Sequence, residues 1–378
     1  MKYLTLLLLL HYFTAGLCLA QENNAIDYRN LIRNSENQDF AKVTAPREFV
    51  FPHDHGEHPD YKIEWWYLTG HLHNINDASQ KWGYQITFFR FALSPDVTPE
   101  DQHKDWQSNQ VYAAHFALTD INNNKHFQFE RFSRPALGLA GVTNQPLTVW
   151  QDNWVLSSEN SKDLFPAKLY AQDTDADYGT VAIDFNLINS KPIVLQGDRG
   201  FSKKSNTQGN ASYYYSYTRI ATDGSITIGD NRFQVSGDSW LDREWGSSSL
   251  DTNQVGWDWF ALQLENNQEL MYYRLRSDNE IHNRQHESSQ GLWVFNDGTS
   301  QRLFPQDVNV APLEFWQSNT GQKFPIKWQI KIPSLNVDIT VDAEIKDQLW
   351  KKRLKYWEGA MIVTGSHKGR GYLELSGY

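Results

Sequence analysis

Apolar and polar residues alternate along most of the chain after residue 60. Residues 180–187 (TVAIDFNL) have an apolar side chain at every second position, and residues 84–91 (YQITFFRF) follow a similar pattern with additional aromatics. A period of two is typical of strands that bury one face. Turn-forming sequences such as Asp223-Gly224 and Asn296-Asp297-Gly298 stand between such runs, as hairpins require. The pattern predicts a long series of antiparallel strands.

Helical periodicity is rare in this sequence. Residues 343–354 show it, because Ile345, Leu349 and Leu354 would share one face of a helix. No glycine-rich loop leads from a strand into a helix, which argues against a nucleotide-binding fold. Many antiparallel strands must hide their edges, so we predict an all-β fold closed into barrels, with one short helix in the second barrel.

The chain has 378 residues, which is more than one hydrophobic core usually serves. A weak internal repeat, between residues 82–90 and residues 257–264, indicates two related barrels. We therefore predict an N-terminal barrel over residues 45–238 and a C-terminal barrel over residues 239–378.

Residues 1–20 have the pattern of a secretory signal peptide. Lys2 gives the positive start, Leu6–Leu10 the apolar centre, and Ala20 the end of a small-residue cleavage pattern. We predict cleavage after Ala20, a periplasmic or secreted location, and no membrane span in the mature chain. Residues 21–44 are polar and are predicted to form a lead-in to the first barrel.

Composition narrows the range of partners. The formal net charge is −10 and no dense stripe of Lys or Arg is present, which argues against nucleic acid as a partner. The one cysteine, Cys18, lies in the predicted signal peptide, so the mature chain would have neither a disulfide nor a cysteine metal ligand. Aromatic residues make up 14% of the chain, which favours a small apolar ligand.

Four segments place a carboxylate beside a tryptophan. They are residues 64–67 (EWWY), 242–245 (DREW), 257–259 (WDW) and 357–358 (WE). Residues two apart on a strand share a face, so Asp258 faces the same way as Phe260 and Leu262. Burial there would raise the pKa of the acid towards that of a proton donor. The alternative interpretation is that arginines pair with these acids and fix the ends of a barrel. The candidate arginines are Arg90, Arg243, Arg274 and Arg276.

Residues 51–61 form a loop that is rich in histidine and acids, with His53, His55 and His58 close together. Three interpretations are open: the histidines bind zinc, a histidine and an acid exchange protons, or the polar loop closes a barrel mouth through hydrogen bonds. The spacing matches no recognised zinc site, and we predict no metal. The Gly-x-Ser-x-Gly elbow of common hydrolases is absent from the sequence.

Six sequence blocks resemble one known family. They are residues 54–59 (DHGEHP), 64–70 (EWWYLTG), 213–219 (YYYSYTR), 237–246 (GDSWLDREWG), 256–260 (GWDWF) and 356–359 (YWEG). In this order they resemble the AttH/CrtC lipocalin-like family, in its secreted AttH-type branch. The resemblance implies two lipocalin-like antiparallel β-barrels packed together and kinship with carotenoid hydratases, in a family often labelled predicted secreted hydrolases. It also implies an export transporter of the envelope as a partner.

Two functions fit these features best. The preferred hypothesis is a protein that binds an apolar ligand, such as a lipid or an isoprenoid, in an aromatic-lined cavity. The alternative is a hydratase, isomerase or hydrolase that acts on an apolar polyene or ester by acid–base chemistry. A purely structural envelope protein is the third hypothesis. No cofactor is predicted for any of them.

The candidate catalytic residues are three acids as proton donors and one histidine as a base: Asp242, Glu244, Asp258 and His55. The candidate ligand-binding residues come from the tryptophan-rich segments and a neighbouring strand: Glu64, Trp66, Tyr67, Arg243, Trp245, Trp257, Trp259, Tyr273, Trp357 and Glu358. The ring faces of Trp245 and Trp259 would stabilise positive charge during the reaction.

Overall fold

A computed structural model describes residues 39–95, 108–248, 250–251, 253–277, 288–353 and 355–378. Within these residues nearly all regular structure is antiparallel β-strand, arranged in two sheets, which confirms the predicted all-β fold. Three short 3-10 helices are described, at His53–His55, Ala136–Gly138 and Pro333–Leu335. The predicted signal peptide lies outside the described residues, and none of the described helices is long and apolar enough to cross a membrane.

The first sheet curls into a nearly closed barrel. Its strands are β1 (Ile63–Asn74), β2 (Asp77–Ala92), β3 (Gln110–Asp120), β4 (Lys125–Ser133), β5 (Ala140–Asn144), β6 (Leu147–Gln151), β7 (Trp154–Ser158), β8 (Ala167–Asp175), β9 (Gly179–Asn189), β10 (Val194–Leu195), β11 (Phe201–Lys203), β12 (Ala211–Ile228) and β13 (Asn231–Gly246). The order is β4-β3-β2-β1-β13-β12-β9-β8-β7-β6-β5, with β10 and β11 beside β12. Strand β6 packs against β2, β3 and β4, so the two ends of the sheet meet around one core.

The second sheet forms a half-barrel. Its strands are β14 (Gln254–Leu264), β15 (Glu269–Ser277), β16 (Gln290–Val294), β17 (Ser300–Leu303), β18 (Asn309–Gln317), β19 (Lys323–Ile332), β20 (Val337–Ala343), β21 (Tyr356–Gly365) and β22 (Gly369–Ser376). The order is β17-β16-β15-β14-β22-β21-β20-β19-β18. The last strand therefore pairs with the first strand of this sheet.

Each sheet encloses an aromatic-rich core. The side chains of Trp66, Trp154 and Trp245 are fully buried in the first core, and those of Trp328 and Trp357 in the second. Large rings remove the most apolar surface from water for each residue placed. Much of the high aromatic content therefore stabilises the two cores.

A third apolar cluster lies between the sheets. It joins Tyr67, Phe89 and Tyr214 of the first sheet to Trp259 and Tyr273 of the second. The central strands of both sheets are consequently buried on both faces, as the almost continuous burial along β1 and β14 shows. Double burial explains why these strands depart from a simple alternation of apolar and polar residues.

The chain passes from the first sheet to the second later than predicted. The predicted division between residues 238 and 239 falls inside β13, which stays in the first sheet up to Gly246. Strand β1 pairs with β13 from Val235 to Gly246 without interruption. The polar residues 236–239, around the predicted division, therefore lie in the middle of a strand.

The predicted helix over residues 343–354 is wrong for the part of it that the structure describes. This segment runs beside β21 instead. The Trp350 N–H donates a hydrogen bond of 2.8 Å to the Tyr356 carbonyl. The Gln348 side chain donates to the Ala360 carbonyl and accepts from the Ala360 N–H, over 3.2 and 2.8 Å. Hydrogen bonds to the neighbouring strand replace those that a helix would make within itself.

Candidate active site

A cavity lies between the two sheets, against the outer faces of their central strands. It encloses about 870 Å³ of space not filled by atoms, part of it open to solvent. The first sheet and its loops contribute Trp65, Tyr67, Thr87, Phe89, His115, Lys204, Tyr214, Asp242 and Glu244. The second sheet contributes Trp257, Trp259, Tyr273, Leu275, Tyr356, Glu358 and Glu374. Aromatic rings and carboxyl groups thus share one cavity.

Strand geometry brings the carboxyl groups to this cavity. On β13, Asp242 and Glu244 share the outer face because they are two residues apart, and Arg243 between them points into the barrel. On the second sheet, Glu358 of β21 and Glu374 of β22 stand directly opposite each other in adjacent strands. The acids therefore approach the cavity from both of its walls.

The surroundings of Glu358 favour its acid form. Burial raises its pKa well above the usual value, and the facing carboxyl of Glu374 raises it further. Two hydrogen bonds act in the opposite direction and lower this pKa: Tyr67 donates one of 2.5 Å to Glu358 Oε1, and Tyr356 makes the other. Burial raises the pKa of Glu374 to about 7, although the Trp257 side chain hydrogen-bonds it. Two carboxyls that share a site do not both ionise readily, so these surroundings favour a proton on Glu358.

Asp242 is poised to change its charge near neutral pH. Burial raises its pKa to about 7, although three donors favour its ionised form. Ser216 and Tyr214 each donate a hydrogen bond of 2.5 Å to the carboxyl, and Trp240 Nε1 donates one of 2.7 Å. The hydroxyl oxygen of Tyr214 in turn accepts from Trp259 Nε1 over 3.2 Å. This network fixes the direction of the Asp242 carboxyl.

Lys204 and Glu244 form a buried ion pair in the cavity wall, with Nζ 2.9 Å from Oε1. The hydroxyl group of Ser212 donates to the same carboxyl oxygen. Burial alone would lower the pKa of Lys204, but the charge of Glu244 raises it above the usual value. The ammonium group lies 4.4 Å from the ring centre of Tyr273. The pair adds no net charge to the cavity.

These groups suit the cavity to proton transfer. It combines a proton donor on one wall, Glu358, with a carboxyl on the other wall, Asp242, that accepts a proton near neutral pH. Titratable pairs whose surroundings push their pKa values apart are typical of acid–base catalysis. The indole rings of Trp65, Trp257 and Trp259 line the space between, and ring faces attract positive charge.

The predicted site residues fall into two groups. Those that line the cavity are Tyr67, Asp242, Glu244, Trp257, Trp259, Tyr273 and Glu358. Those that lie elsewhere are His55, Glu64, Trp66, Arg243, Trp245, Asp258 and Trp357. The second group consists of residues on the inner faces of the strands and of one loop residue.

Asp258, predicted as a proton donor, is paired with arginines inside the second sheet. Its carboxyl lies 2.6 Å from Arg274 Nη2 and 3.3 Å from Arg276 Nε. The Tyr378 hydroxyl donates to it over 2.6 Å. The alternation along β14 that turns Trp257 to the cavity necessarily turns Asp258 away from it. The ion-pair interpretation therefore holds for this acid.

Glu64 has the same role in the first barrel. It is fully buried and forms ion pairs with both Arg90 and Arg243. Although burial raises the pKa of Glu64, the two guanidinium groups hold it well below the usual range. Trp66 and Trp245 lie in the same core, and the Arg243 guanidinium stands 3.9 Å from the ring centre of Trp66. These four predicted ligand-binding residues pack in the core of the first barrel instead of lining the cavity.

His55 and Trp357 also lie outside the cavity. His55 Nδ1 is 2.7 Å from the Tyr215 hydroxyl and Nε2 is 3.2 Å from Asp163 Oδ1. Burial lowers the pKa of this histidine. Trp357 is fully buried in the second core and its indole N–H donates to the Lys346 carbonyl over 2.9 Å. Neither side chain reaches the carboxyl groups described above.

The histidine loop brings His53, Asp54 and His58 together, with ligand atoms within 4.8 Å of one another. The shared atom is Asp54 Oδ1, which is 3.4 Å from His53 and 3.2 Å from His58. Arg47 Nη2 lies 2.8 Å from the same oxygen, so a guanidinium takes the place that a metal cation would need. His55 turns away from this group. The geometry favours a hydrogen-bonded polar loop.

Sequence reasoning missed His115, Lys204, Tyr214 and Glu374, all of which line the cavity. Glu374 carried a signal, because it is an acid within the otherwise apolar residues 372–375 (YLEL). The other three are brought to the cavity by strands and loops that are distant in the sequence, which a local pattern does not reveal.

Comparison with known proteins agrees with this architecture. A profile of the AttH-like family matches residues 42–378. The crystal structure of an AttH protein from Nitrosomonas europaea has a TM-score of 0.77 at 30% sequence identity, covering 90% of this chain and 99% of that one. The crystal structure of kievitone hydratase from Nectria haematococca has a TM-score of 0.64 at 16% identity, covering 92% and 98%; it shares the fold. No curated protein matched the chain.

Proposed function

This chain belongs to the AttH-like family, and we propose that it is an acid–base enzyme which protonates an apolar, unsaturated substrate in the cavity between its sheets. The reaction ends when water adds to the protonated substrate, or when a neighbouring proton leaves and the double bond moves. Kievitone hydratase, which has the same fold, is named for a reaction of this class.

The observation that carries the proposal is the buried carboxyl of Glu358, which faces Glu374 in an aromatic cavity. Protonation of a double bond needs a donor that still holds its proton at the working pH and a site that shields the cation from bulk water. Burial and the facing Glu374 keep the proton on Glu358, and the cavity walls are mostly rings. Asp242, with a pKa raised to about 7, is able to accept a proton at the pH where Glu358 still holds one.

The proposed reaction balances in two steps. Glu358 gives its proton to one carbon of the double bond, whose π electrons form the new C–H bond, and positive charge develops on the neighbouring carbon. A water oxygen then bonds to that carbon while Asp242 takes the proton that the water releases. In the isomerisation, Asp242 instead takes a proton from an adjacent carbon, and the electrons of that C–H bond form the new double bond. Exchange with solvent restores Glu358 and Asp242.

A carrier of apolar ligands would need the rings but not this set of acids. Burial of a carboxyl group costs free energy that a binding protein recovers only if the ligand needs the group. A cavity that holds Glu358, Glu374 and Asp242 beside tryptophan rings is therefore better matched to catalysis. For the same reason, a purely structural protein would be expected to fill this space with apolar side chains.

The test is turnover in deuterated water. The purified chain is incubated with isoprenoid alcohols and polyenes, and products are followed by mass spectrometry for a gain of water or for deuterium on carbon. We expect incorporation with at least one compound, and a loss of roughly 10²–10⁴-fold in the Glu358→Gln variant, the range for removing one proton-transfer group. Glu314→Gln, which changes an acid outside the cavity that pairs with Lys346, should react like the wild type.

Two results would count against the enzyme. Compounds that bind tightly but never gain deuterium or water would make the chain a carrier. Equal turnover by the wild type and the Glu358→Gln variant would remove Glu358 from the reaction.

A further inference from the structure

We infer that His115 is a positioning residue that keeps the proton on Glu358, acting through the hydroxyl group of Tyr356. The inference rests on the proposed role of Glu358 as the acid. His115 lies on β3 of the first sheet and Tyr356 begins β21 of the second. Their contact therefore joins the two walls of the cavity.

The contact is short and rigidly held. His115 Nδ1 is 2.8 Å from the Tyr356 hydroxyl. Tyr356 also hydrogen-bonds the carboxyl of Glu358, and as a donor to that carboxyl it lowers the pKa. The indole of Trp350 stacks on the His115 ring at 4.6 Å and on the Tyr356 ring at 5.6 Å. The side chain of His115 is fully buried. One hydroxyl group thus links the imidazole to the acid.

The direction of these hydrogen bonds follows from the other side of the imidazole. Burial lowers the pKa of His115 to about 3, so the ring is neutral and carries one N–H. Its Nε2 has no hydrogen-bond partner among the described residues, and the nearest carboxyl oxygen, Glu130 Oε2, is 3.8 Å away. This gap is roughly 1 Å longer than a hydrogen bond, and a small shift or one water closes it. A proton on Nε2 then faces a carboxylate.

A proton on Nε2 determines the direction of the other hydrogen bonds in this series. Nδ1 becomes an acceptor, so Tyr356 donates its hydroxyl proton to His115. The hydroxyl oxygen is left to accept from Glu358, which must carry a proton to donate. If His115 could not accept, the Tyr356 hydroxyl would donate to Glu358 and favour its ionised form. His115 thus selects the acid form of Glu358.

Other groups near Glu358 and His115 act on this carboxyl in both directions. Tyr67 of β1 donates to Glu358, and a donor favours the ionised form. Glu374 of β22 raises the pKa of Glu358 by its charge alone. Glu130 of β4, whose other oxygen lies 3.7 Å from Arg353 Nε, is the charged group that faces His115.

Infrared titration of Glu358 tests the inference without a substrate. The band of this carboxyl is identified by the difference between wild type and Glu358→Gln. We expect His115→Leu to lower the midpoint of its titration by roughly one pH unit. His115→Asn, whose amide oxygen is able to accept from Tyr356, should recover most of the shift. The matched control is His126→Leu, since His126 is a histidine of β4 that bonds Thr119 over 2.8 Å and does not line the cavity.

The outcomes separate the inference from the proposed function. An unchanged midpoint in His115→Leu, or an equal shift in His126→Leu, overturns the role of His115 and leaves Glu358 as the acid. An ionised Glu358 in the wild type at neutral pH overturns the proposed function itself. Nitrogen NMR of the His115 imidazole in the wild type is a second measurement, which does not depend on the folding of a variant. A proton on Nε2 supports the inference, and a proton on Nδ1 contradicts it.

Discussion

Tyr67 on β1 and Glu358 on β21 are joined by a hydrogen bond of 2.5 Å that crosses from the first sheet to the second. Both side chains are buried, and both line the cavity. The packing of one sheet on the other therefore sets the surroundings of the candidate acid. The packing of the two sheets and the protonation of Glu358 therefore depend on each other at this contact.

Removal of the Tyr67 hydroxyl should weaken this coupling. In Tyr67→Phe, Glu358 loses a donor, and we expect the free energy of unfolding to fall by about 1–3 kcal/mol. The pKa of Glu358 should rise further, because Tyr67 favours the ionised form. Urea denaturation and infrared titration measure the two effects. Tyr170→Phe, which removes a half-buried hydroxyl bonded to Gln172, should cost less; an equal loss in both variants would contradict the buried role of Tyr67.

Glu64 should be needed for stability rather than for chemistry. Glu64→Gln leaves Arg90 and Arg243 buried without their carboxylate, and breaking such a pair costs about 3–5 kcal/mol. The pKa of Glu64 is depressed in the folded chain, so its contribution is present above the unfolded pKa and is lost only as the pH falls through the folded value. Denaturation at neutral and mildly acidic pH should show the same deficit. A deficit that disappears in mild acid would contradict the ion pair.

Asp242 should make the folded chain less stable as the pH rises. Its folded pKa of about 7 is higher than the ordinary 3.8, so between these values the folded state binds more protons than the unfolded state. The free energy of unfolding of the wild type, relative to Asp242→Asn, should therefore fall by a few kcal/mol from pH 4 to pH 7. Denaturant titrations of both proteins across this range give the difference. A constant difference would mean that the carboxyl is already ionised at pH 4.

Turnover should have two limits in pH. Activity should rise through about pH 7 as Asp242 becomes able to accept a proton, and fall at higher pH as Glu358 loses its own. Asp242→Asn should lower the rate and remove the acidic limit while leaving the alkaline one. If the rate instead falls continuously as the pH rises from the acidic side, the assignment of Asp242 as the proton acceptor is wrong.

Much of the fold follows from local pattern. The period of two predicts the strands, because strand formation depends on alternate burial. The turn sequence Asn296-Asp297-Gly298 does lie between two strands, β16 and β17. The turn predicted at Asp223-Gly224 is wrong, because both residues pair within β12, which continues to Ile228. The helix over residues 343–354 fails because hydrogen bonds from Gln348 and Trp350 to another strand outweigh the local spacing. Tertiary pairing of this kind has no signature in the segment itself.

Only part of the candidate site can be predicted from a local sequence pattern. Alternation correctly separates Asp258 from Trp257, but it does not say which face meets the cavity and which meets Arg274. That choice depends on the packing of two sheets whose central strands are buried on both sides. His115 and Tyr356 meet for the same reason, across 241 residues of sequence.

The protonation state of Glu358 in the resting protein tests the central claim most directly. Infrared difference spectra at neutral pH would compare the wild type with Glu358→Gln, and with Glu314→Gln as the reference for an acid whose pKa is lowered by hydrogen bonding to Lys346. Glu358→Gln should lose the carbonyl band of a neutral carboxylic acid, whereas Glu314→Gln should lose carboxylate bands. Loss of carboxylate bands from Glu358→Gln would show that the cavity holds no proton donor at this position.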